Sequence, residues 1–135
     1  MPIVLLHGLF GAILFGAVFA DVFFLRSSGS RVFEPRAAMD SWRRYAAVIE
    51  MVSYLVVVGL GLAQWVPNMS GYALAAPGVF HGKLTLALLF LVFGKVRMFR
   101  ERKTREPAVL LTRLMFACVL LTVTLGLSVR MGGLF

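Results

Sequence analysis

Four long apolar stretches, separated by shorter polar segments, dominate the pattern of this chain. They run from Ile3 to Leu25, Tyr45 to Val66, Val79 to Phe99 and Ala108 to Val129. Each is close to the roughly 20 residues that a helix needs to cross the hydrocarbon core of a bilayer. Only helices and closed barrels satisfy the backbone hydrogen bonds in lipid, and four segments cannot close a barrel. The sequence therefore predicts an all-α integral membrane protein, a four-helix transmembrane bundle that occupies residues 1–135 as one domain.

The composition agrees with this prediction. Hydrophobic residues make up 60% of the chain and charged residues 15%, and the mean hydropathy is +0.89, which is too apolar for a soluble domain of this size. The lipid bilayer is thus the first predicted partner. The first stretch also resembles a signal peptide, but no positive charge precedes it and its apolar run continues to Leu25, which favours a retained helix.

The distribution of positive charge predicts the topology. The net charge is +8, and the basic residues cluster after the first and third stretches, whereas residues 67–80 carry no charge. The positive-inside rule then places these two basic segments in the cytoplasm and both termini outside. Confinement of the charge to two segments argues against a nucleic-acid partner. The basic residues are Arg26, Arg31, Arg36, Arg43 and Arg44 in the first segment and Arg97, Arg100, Arg102, Lys103 and Arg105 in the second.

The two histidines of the chain are the strongest candidates for chemistry. His7 opens the first stretch and His81 opens the third, so both lie at the same depth if the helices alternate in direction. Two imidazoles that face each other in a helix bundle are typical axial ligands of haem iron. Gly11, one turn after His7, would leave room for the flat macrocycle. The sequence therefore predicts haem b, with His7 and His81 as the metal ligands and Gly11 beside the cofactor.

Other interpretations of the histidines stay open. Each imidazole could simply hydrogen-bond a neighbouring carbonyl group. A closed zinc site needs about four ligands, and this end of the bundle offers two. Copper(I) could add methionine sulfur, for which Met69 in the outer segment is a candidate.

Charged residues inside the apolar stretches form a second group of candidates. Asp21 follows His7 by 14 residues and Lys95 follows His81 by the same interval, which puts each pair on nearly one helix face, about 21 Å apart. If His7 faces His81, Asp21 should meet Lys95. Two more charges lie at a similar depth, so the sequence predicts an inner-leaflet polar cluster, either charge-neutralising or a proton path. Its members are Asp21, Glu50, Lys95 and Arg113.

Two further features suggest roles near the outer end. Lys83 lies two residues after His81, on roughly the opposite side of the helix; its ammonium either extends to the interface or approaches a carboxylate of a substrate or cofactor. A stripe of small residues along the first stretch allows close helix packing, within the bundle or in a homo-oligomer. The stripe consists of Gly8, Ala12, Gly16 and Ala20.

The two histidine segments resemble one family. Leu6-His7-Gly8-Leu9-Phe10 in the first stretch and His81-Gly82-Lys83-Leu84 in the third are similar to motifs of the HemJ-type short haem-b membrane proteins, bacterial protoporphyrinogen IX oxidases with distant CopD-like relatives. The resemblance implies haem b bound through His7, a second motif of His81 with Lys83, and Lys83 as the catalytic residue. It also implies the inner membrane of a bacterial-type cell. The chain departs from the family pattern at Leu14, Ala20 and Phe23, where the family has tryptophan, tyrosine and arginine.

The functional expectation is a haem-b membrane oxidoreductase that oxidises a porphyrinogen and passes electrons to a quinone or a respiratory-chain partner. Two alternatives remain. One is a b-type electron-transfer subunit of a respiratory complex without a substrate of its own. The other is an accessory or copper-handling membrane protein.

Overall fold

The architecture is all-helical, as the apolar stretches predict. The structure is a computed structural model and describes residues 2–26, 36–65 and 77–130. This part of the chain forms four long helices and contains no strand. Helix α1 spans Pro2–Ala20, α2 Arg36–Trp65, α3 Pro77–Thr104 and α4 Val109–Arg130.

Two helix ends differ from the regular pattern. After Ala20, α1 widens into a π-helical turn, Asp21–Leu25, in which the Arg26 amide donates to the Asp21 carbonyl at 2.7 Å. Such turns are rare and often occur at functional sites. Helix α3 ends where Arg105 takes a left-handed φ of 57° and its amide donates to the Glu101 carbonyl at 2.8 Å.

The surface is apolar and the interior contains charges, the reverse of a soluble protein. Leu5, Phe99 and Leu110 are 73%, 69% and 65% exposed, while Asp21 and Glu50 are almost fully buried. Three helical segments are long and apolar enough to cross a membrane, Pro2–Leu25, Met39–Ala63 and Val109–Leu127. The chain is therefore a multi-pass membrane protein.

Helix α3 is not among the candidate spans found in the described residues. It carries Lys83, Lys95 and Arg97 within its length and a basic last turn. A fourth crossing and the sides of the two termini stay predictions.

The helices pack mainly as two consecutive pairs. Helix α1 packs most closely on α2 and α3 on α4, with a smaller contact between α1 and α4. Short connections favour such neighbours, because consecutive helices joined by few residues lie antiparallel and adjacent. The central core includes Leu14, Val18, Phe90, Met115 and Cys118.

Side chains connect the two pairs across the middle of the bundle. The Tyr54 hydroxyl of α2 donates to the Ala87 carbonyl of α3 at 2.8 Å. Its ring stacks on Phe90 with centroids 5.1 Å apart and planes inclined by 18°. The polar tip of a buried tyrosine thus finds a partner on the neighbouring helix.

The small-residue stripe of α1 is open. A Cβ added at Gly8 or Gly16 would meet nothing within 4 Å, and Ala12 is exposed. Three of the four stripe residues are thus exposed, whereas Ala20 is half-buried. A homo-oligomer through this face stays a prediction.

Candidate functional site

His7 lies in the interface between α1 and α2. Its side chain is half-buried, and a Cβ at Gly61 of α2 would come within 3.3 Å of His7 Cε1 and 3.8 Å of Nδ1. The imidazole therefore occupies space that only a glycine at position 61 leaves fully open. A Cβ at Gly11 would meet nothing within 4 Å, and the role of this residue beside a cofactor stays a prediction.

His81 has a different environment. Its side chain is exposed on α3, and the ring lies 5.7 Å from that of Phe80, with planes at 69°. The sequence predicts the same depth in the bilayer for both histidines. Their helices, α1 and α3, are nevertheless not close neighbours, since α1 packs mainly on α2 and α4. The role of His81 as a second metal ligand stays a prediction.

Lys83 points along the interface between α3 and α4. A Cβ at Gly126 of α4 would come within 3.3 Å of Lys83 Nζ and 3.7 Å of Cε, and the side chain is half-buried. One residue earlier, a Cβ at Gly82 would lie 3.2 Å from Leu125 Cδ1. The lysine side chain thus packs against α4 at Gly126, just as the His7 side chain packs against α2 at Gly61.

At the other end of α1, Arg97 of α3 joins two buried carboxylates. Its Nη1 donates to Asp21 Oδ2 at 3.0 Å, and its Nη2 donates to Glu50 Oε2. Nη1 also donates to the Thr112 hydroxyl of α4 at 3.4 Å. Helices α2, α3 and α4 and the π-helical turn all contribute to this cluster.

Arg26 extends the cluster toward the end of α3. It follows Asp21 by one π-helical turn and donates to Asp21 Oδ1. Its Nε and Nη2 donate to the two carboxylate oxygens of Glu101 at 2.7 and 3.1 Å, and Nη2 also donates to the Arg43 carbonyl at 3.2 Å. We call these five side chains the charge network: Asp21, Arg26, Glu50, Arg97 and Glu101.

The charge state of Arg26 follows from its surroundings. Burial would by itself lower the pKa of the guanidinium, but the hydrogen bonds and charges of Glu101 and Asp21 raise that pKa above its ordinary value. Arg26 is therefore a fixed positive charge. Glu101 also accepts from the Ala108 amide at 3.0 Å, just before α4 begins, so the network fixes the connection between α3 and α4.

The predicted partners of the inner-leaflet polar cluster need correction. Asp21 and Glu50 are buried together, but both pair with Arg97, whereas Lys95 and Arg113 are exposed. His81 and Lys95 do share a face, as their interval predicts, and this face is on the outside of the bundle. Arg97 lies two residues later, about 200° around the helix, and so points inward.

Several site residues were not singled out from the sequence. The sequence pattern assigns Arg26 and Arg97 to the basic connecting segments, but both lie within or at the end of helical structure and are buried. Arg26 directly follows the apolar run that contains Asp21, and Arg97 lies inside the third apolar stretch. These positions were an available signal, because a buried carboxylate needs a cation at its own depth. Gly61 gave no signal in its own sequence context. Met69 lies outside the described residues.

The described residues contain no group of three or more histidine, cysteine, aspartate or glutamate side chains that could hold a metal ion. Comparison of the chain with protein-family models, characterised proteins and solved structures finds no match.

Proposed function

We propose that this chain is a haem-b membrane oxidoreductase in which His7 is the axial ligand. The observation that carries the proposal is the placement of His7, a half-buried imidazole set against Gly61 in an apolar helix interface, with open space at Gly11. These residues fit a flat group held from the α1 side. Neutral imidazole binds iron, and an apolar surround favours the neutral form.

Haem supplies one-electron transfer when it is bound. The contribution of the chain would be to hold the imidazole in one orientation through the contact with Gly61 and to keep water away through the apolar helix surfaces. His81 would occupy the second axial position or stand beside a substrate. Its exposure makes both roles sterically accessible.

We further propose a porphyrinogen as the substrate and Lys83 as the catalytic residue, as the family resemblance implies. Porphyrinogens carry carboxylate groups, and the Lys83 ammonium, packed along α4 at Gly126, is a cation at the same end of the bundle as His7. Oxidation to the porphyrin removes six hydrogens, so the reaction needs an electron acceptor. A quinone or a respiratory-chain partner would be that acceptor.

The topology that accompanies this function is four membrane crossings with both termini outside, in a bacterial-type inner membrane. It rests on the basic residues beside the first and third apolar stretches. Helix α3 would be the most polar crossing, stabilised by the pairing of Arg97 with Asp21 and Glu50. A homo-oligomer would use the open stripe of Gly8, Ala12, Gly16 and Ala20.

The test is the absorption spectrum of the purified protein and its pyridine haemochrome. We expect a Soret band and a b-type haemochrome, both lost in His7→Ala because the iron loses its ligand. Helical content by circular dichroism shows whether the variant is still folded. A folded wild-type protein that stays colourless after expression with haem supply would refute the proposal.

The spin state separates the proposed oxidase from the alternative electron carrier. A low-spin spectrum that becomes high-spin in His81→Ala would mean two histidine ligands and favour a b-type electron-transfer subunit. A high-spin or mixed spectrum would leave an axial position open and favour action on a substrate. Protoporphyrinogen oxidation by the wild type, abolished by Lys83→Ala with the Soret band intact, would support the oxidase directly.

A further inference from the structure

The charge network does not balance when every member is ionised. It contains the carboxylates of Asp21, Glu50 and Glu101 and the guanidiniums of Arg26 and Arg97. The sum is one negative charge in excess. Asp21 and Glu50 are 0% and 1% exposed, and an uncompensated charge at such a position is strongly unfavourable.

The hydrogen bonds show where the imbalance lies. Asp21 accepts at both carboxylate oxygens, from Arg26 and from Arg97. Glu50 accepts from Arg97 at Oε2 only, and its Oε1 is buried and accepts from no donor among the described residues. The polar atom that lacks a donor therefore belongs to Glu50.

The Glu50 and Asp21 carboxyl groups are also neighbours, because they accept from the two terminal nitrogens of the same guanidinium, that of Arg97. A carboxylate has no donor, so two carboxyl groups can bond only if one of them carries a proton. Like-charged carboxylates that share a site resist ionising together. One bound proton would remove the excess charge, would use the oxygen without a donor, and would relieve the repulsion between the two neighbouring carboxyl groups.

We propose that Glu50 and Asp21 form a proton-binding site that holds one exchangeable proton, placed on Glu50 Oε1 and donated to Asp21. Asp21 stays the anion because two guanidiniums contact it. The groups that face the pair are Arg97 from α3, Arg26 from the end of the π-helical turn, and the neutral Thr112 hydroxyl from α4. Release of the proton leaves the network with one negative charge, and uptake restores neutrality.

The network also supplies a connection to water. The side chain of Glu101 is 21% exposed, and it contacts Arg26, which contacts Asp21. The polar network thus reaches the surface near the end of α3, although the Arg26 guanidinium stays protonated and does not itself carry the exchanged proton. The site is independent of the proposed haem and of the role of His7.

Infrared spectroscopy of the full chain in lipid tests the proposal. Near neutral pH the exposed carboxyl groups are ionised, so a protonated buried carboxyl gives a separate carbonyl band that shifts in D₂O. We expect such a band in the wild type and its loss in Glu50→Gln, in which the amide can still donate to Asp21 and preserve the fold. Glu106→Gln, an exposed carboxylate beside the same helix connection, is the matched control and should retain the band.

Isotope labelling makes the test independent of folding in the variants. Carboxyl-¹³C glutamate incorporated into the wild type should shift the band, and labelled aspartate should not. A folded wild type without a D₂O-sensitive carbonyl band would overturn the proposal. A band that persists in folded Glu50→Gln, or that does not shift when glutamate is labelled, would also overturn the proposal. Absence of haem would leave all of these outcomes unchanged.

Discussion

Arg97 is the residue on which the inner end of the bundle depends most. One side chain contacts Asp21 and Glu50 and reaches Thr112, and it is 4% exposed. A buried guanidinium between two carboxylates contributes through the charges that it compensates, so its removal costs more than the loss of its hydrogen bonds.

We expect Arg97→Met to lower the free energy of unfolding by about 3–5 kcal/mol, because it removes a buried cation that both Asp21 and Glu50 contact. Denaturant titration in mixed micelles, followed by circular dichroism, measures the change. Lys95→Met is the matched control: this lysine is exposed on the same helix, and we expect a change within about 0.5 kcal/mol. Equal effects of the two substitutions would contradict the buried role of Arg97.

Gly61 is the residue through which the surroundings of His7 can be tested. Leucine at this position would occupy the space of the imidazole, which lies 3.3 Å from the position of a Cβ. We expect Gly61→Leu to reduce haem retention at least tenfold, measured as the Soret absorbance per protein. Gly59→Leu is the control, since a Cβ there meets nothing within 4 Å. Similar haem content in both variants would contradict a site at the His7–Gly61 contact.

At the scale of elements, sequence patterns predicted the positions of the helices well, but they predicted less well which side of each helix is turned toward the bundle. The stretch that begins at Ile3 and the one that begins at Ala108 correspond closely to α1 and α4, because an apolar run of this length in lipid leaves the backbone no alternative to a helix. Helix α2 begins at Arg36, well before Tyr45, because a helix can continue beyond the apolar core into polar sequence.

The rotation of α3 was the part that periodicity could not determine. His81 and Lys95 share a face, as predicted, but an interval gives only relative direction and not which face meets the bundle. The predicted rotation depends on the assumption that His81 faces His7. In the structure the inward face carries Arg97, which contacts the buried Asp21 and Glu50. The π-helical turn that orders Asp21 and Arg26 had no sequence signal of its own.

The end of α3 gives a prediction at the same scale. Arg105 has a φ of 57°, a conformation that costs a residue with a Cβ about 1–2 kcal/mol and costs glycine little. We expect Arg105→Gly to stabilise the protein by about 1 kcal/mol, seen as a higher midpoint of thermal unfolding in detergent. Arg102→Gly, within the last turn of α3, should instead destabilise it by a similar amount. Destabilisation by both would contradict the role assigned to the left-handed position.

At the scale of the whole molecule, the composition predicted a membrane protein, and the apolar surface with a charged interior agrees with it. The sequence also assigns Asp21 and Glu50 to one polar cluster, and in the structure both pair with Arg97. Charged side chains at membrane depth pair with one another because an isolated charge in lipid is unfavourable. Which helices lie side by side depended on the chain connections rather than on matching depths. This is why α1 packs on α2 and not closely on α3.

The number of crossings can be measured with single cysteines in a Cys118→Ala background. We expect Met69→Cys and Glu106→Cys to react with a membrane-impermeant maleimide from opposite sides, because the predicted α3 crossing separates them and the basic segment stays inside. Met69→Cys should label in intact cells and Glu106→Cys only in inverted vesicles. Labelling of both positions from one side would mean that α3 does not cross.

The dependence of Glu50 on Arg97 has a consequence for biogenesis. Helices α1 and α2 leave the ribosome before α3 is synthesised, so Glu50 reaches the translocon before its guanidinium partner exists. Asp21 contacts Arg26, five residues later in the sequence, whereas the guanidinium that contacts Glu50 belongs to α3. The nascent first hairpin should therefore be integrated stably only once α3 has been made, and chains truncated after α2 should be preferred targets of membrane proteases.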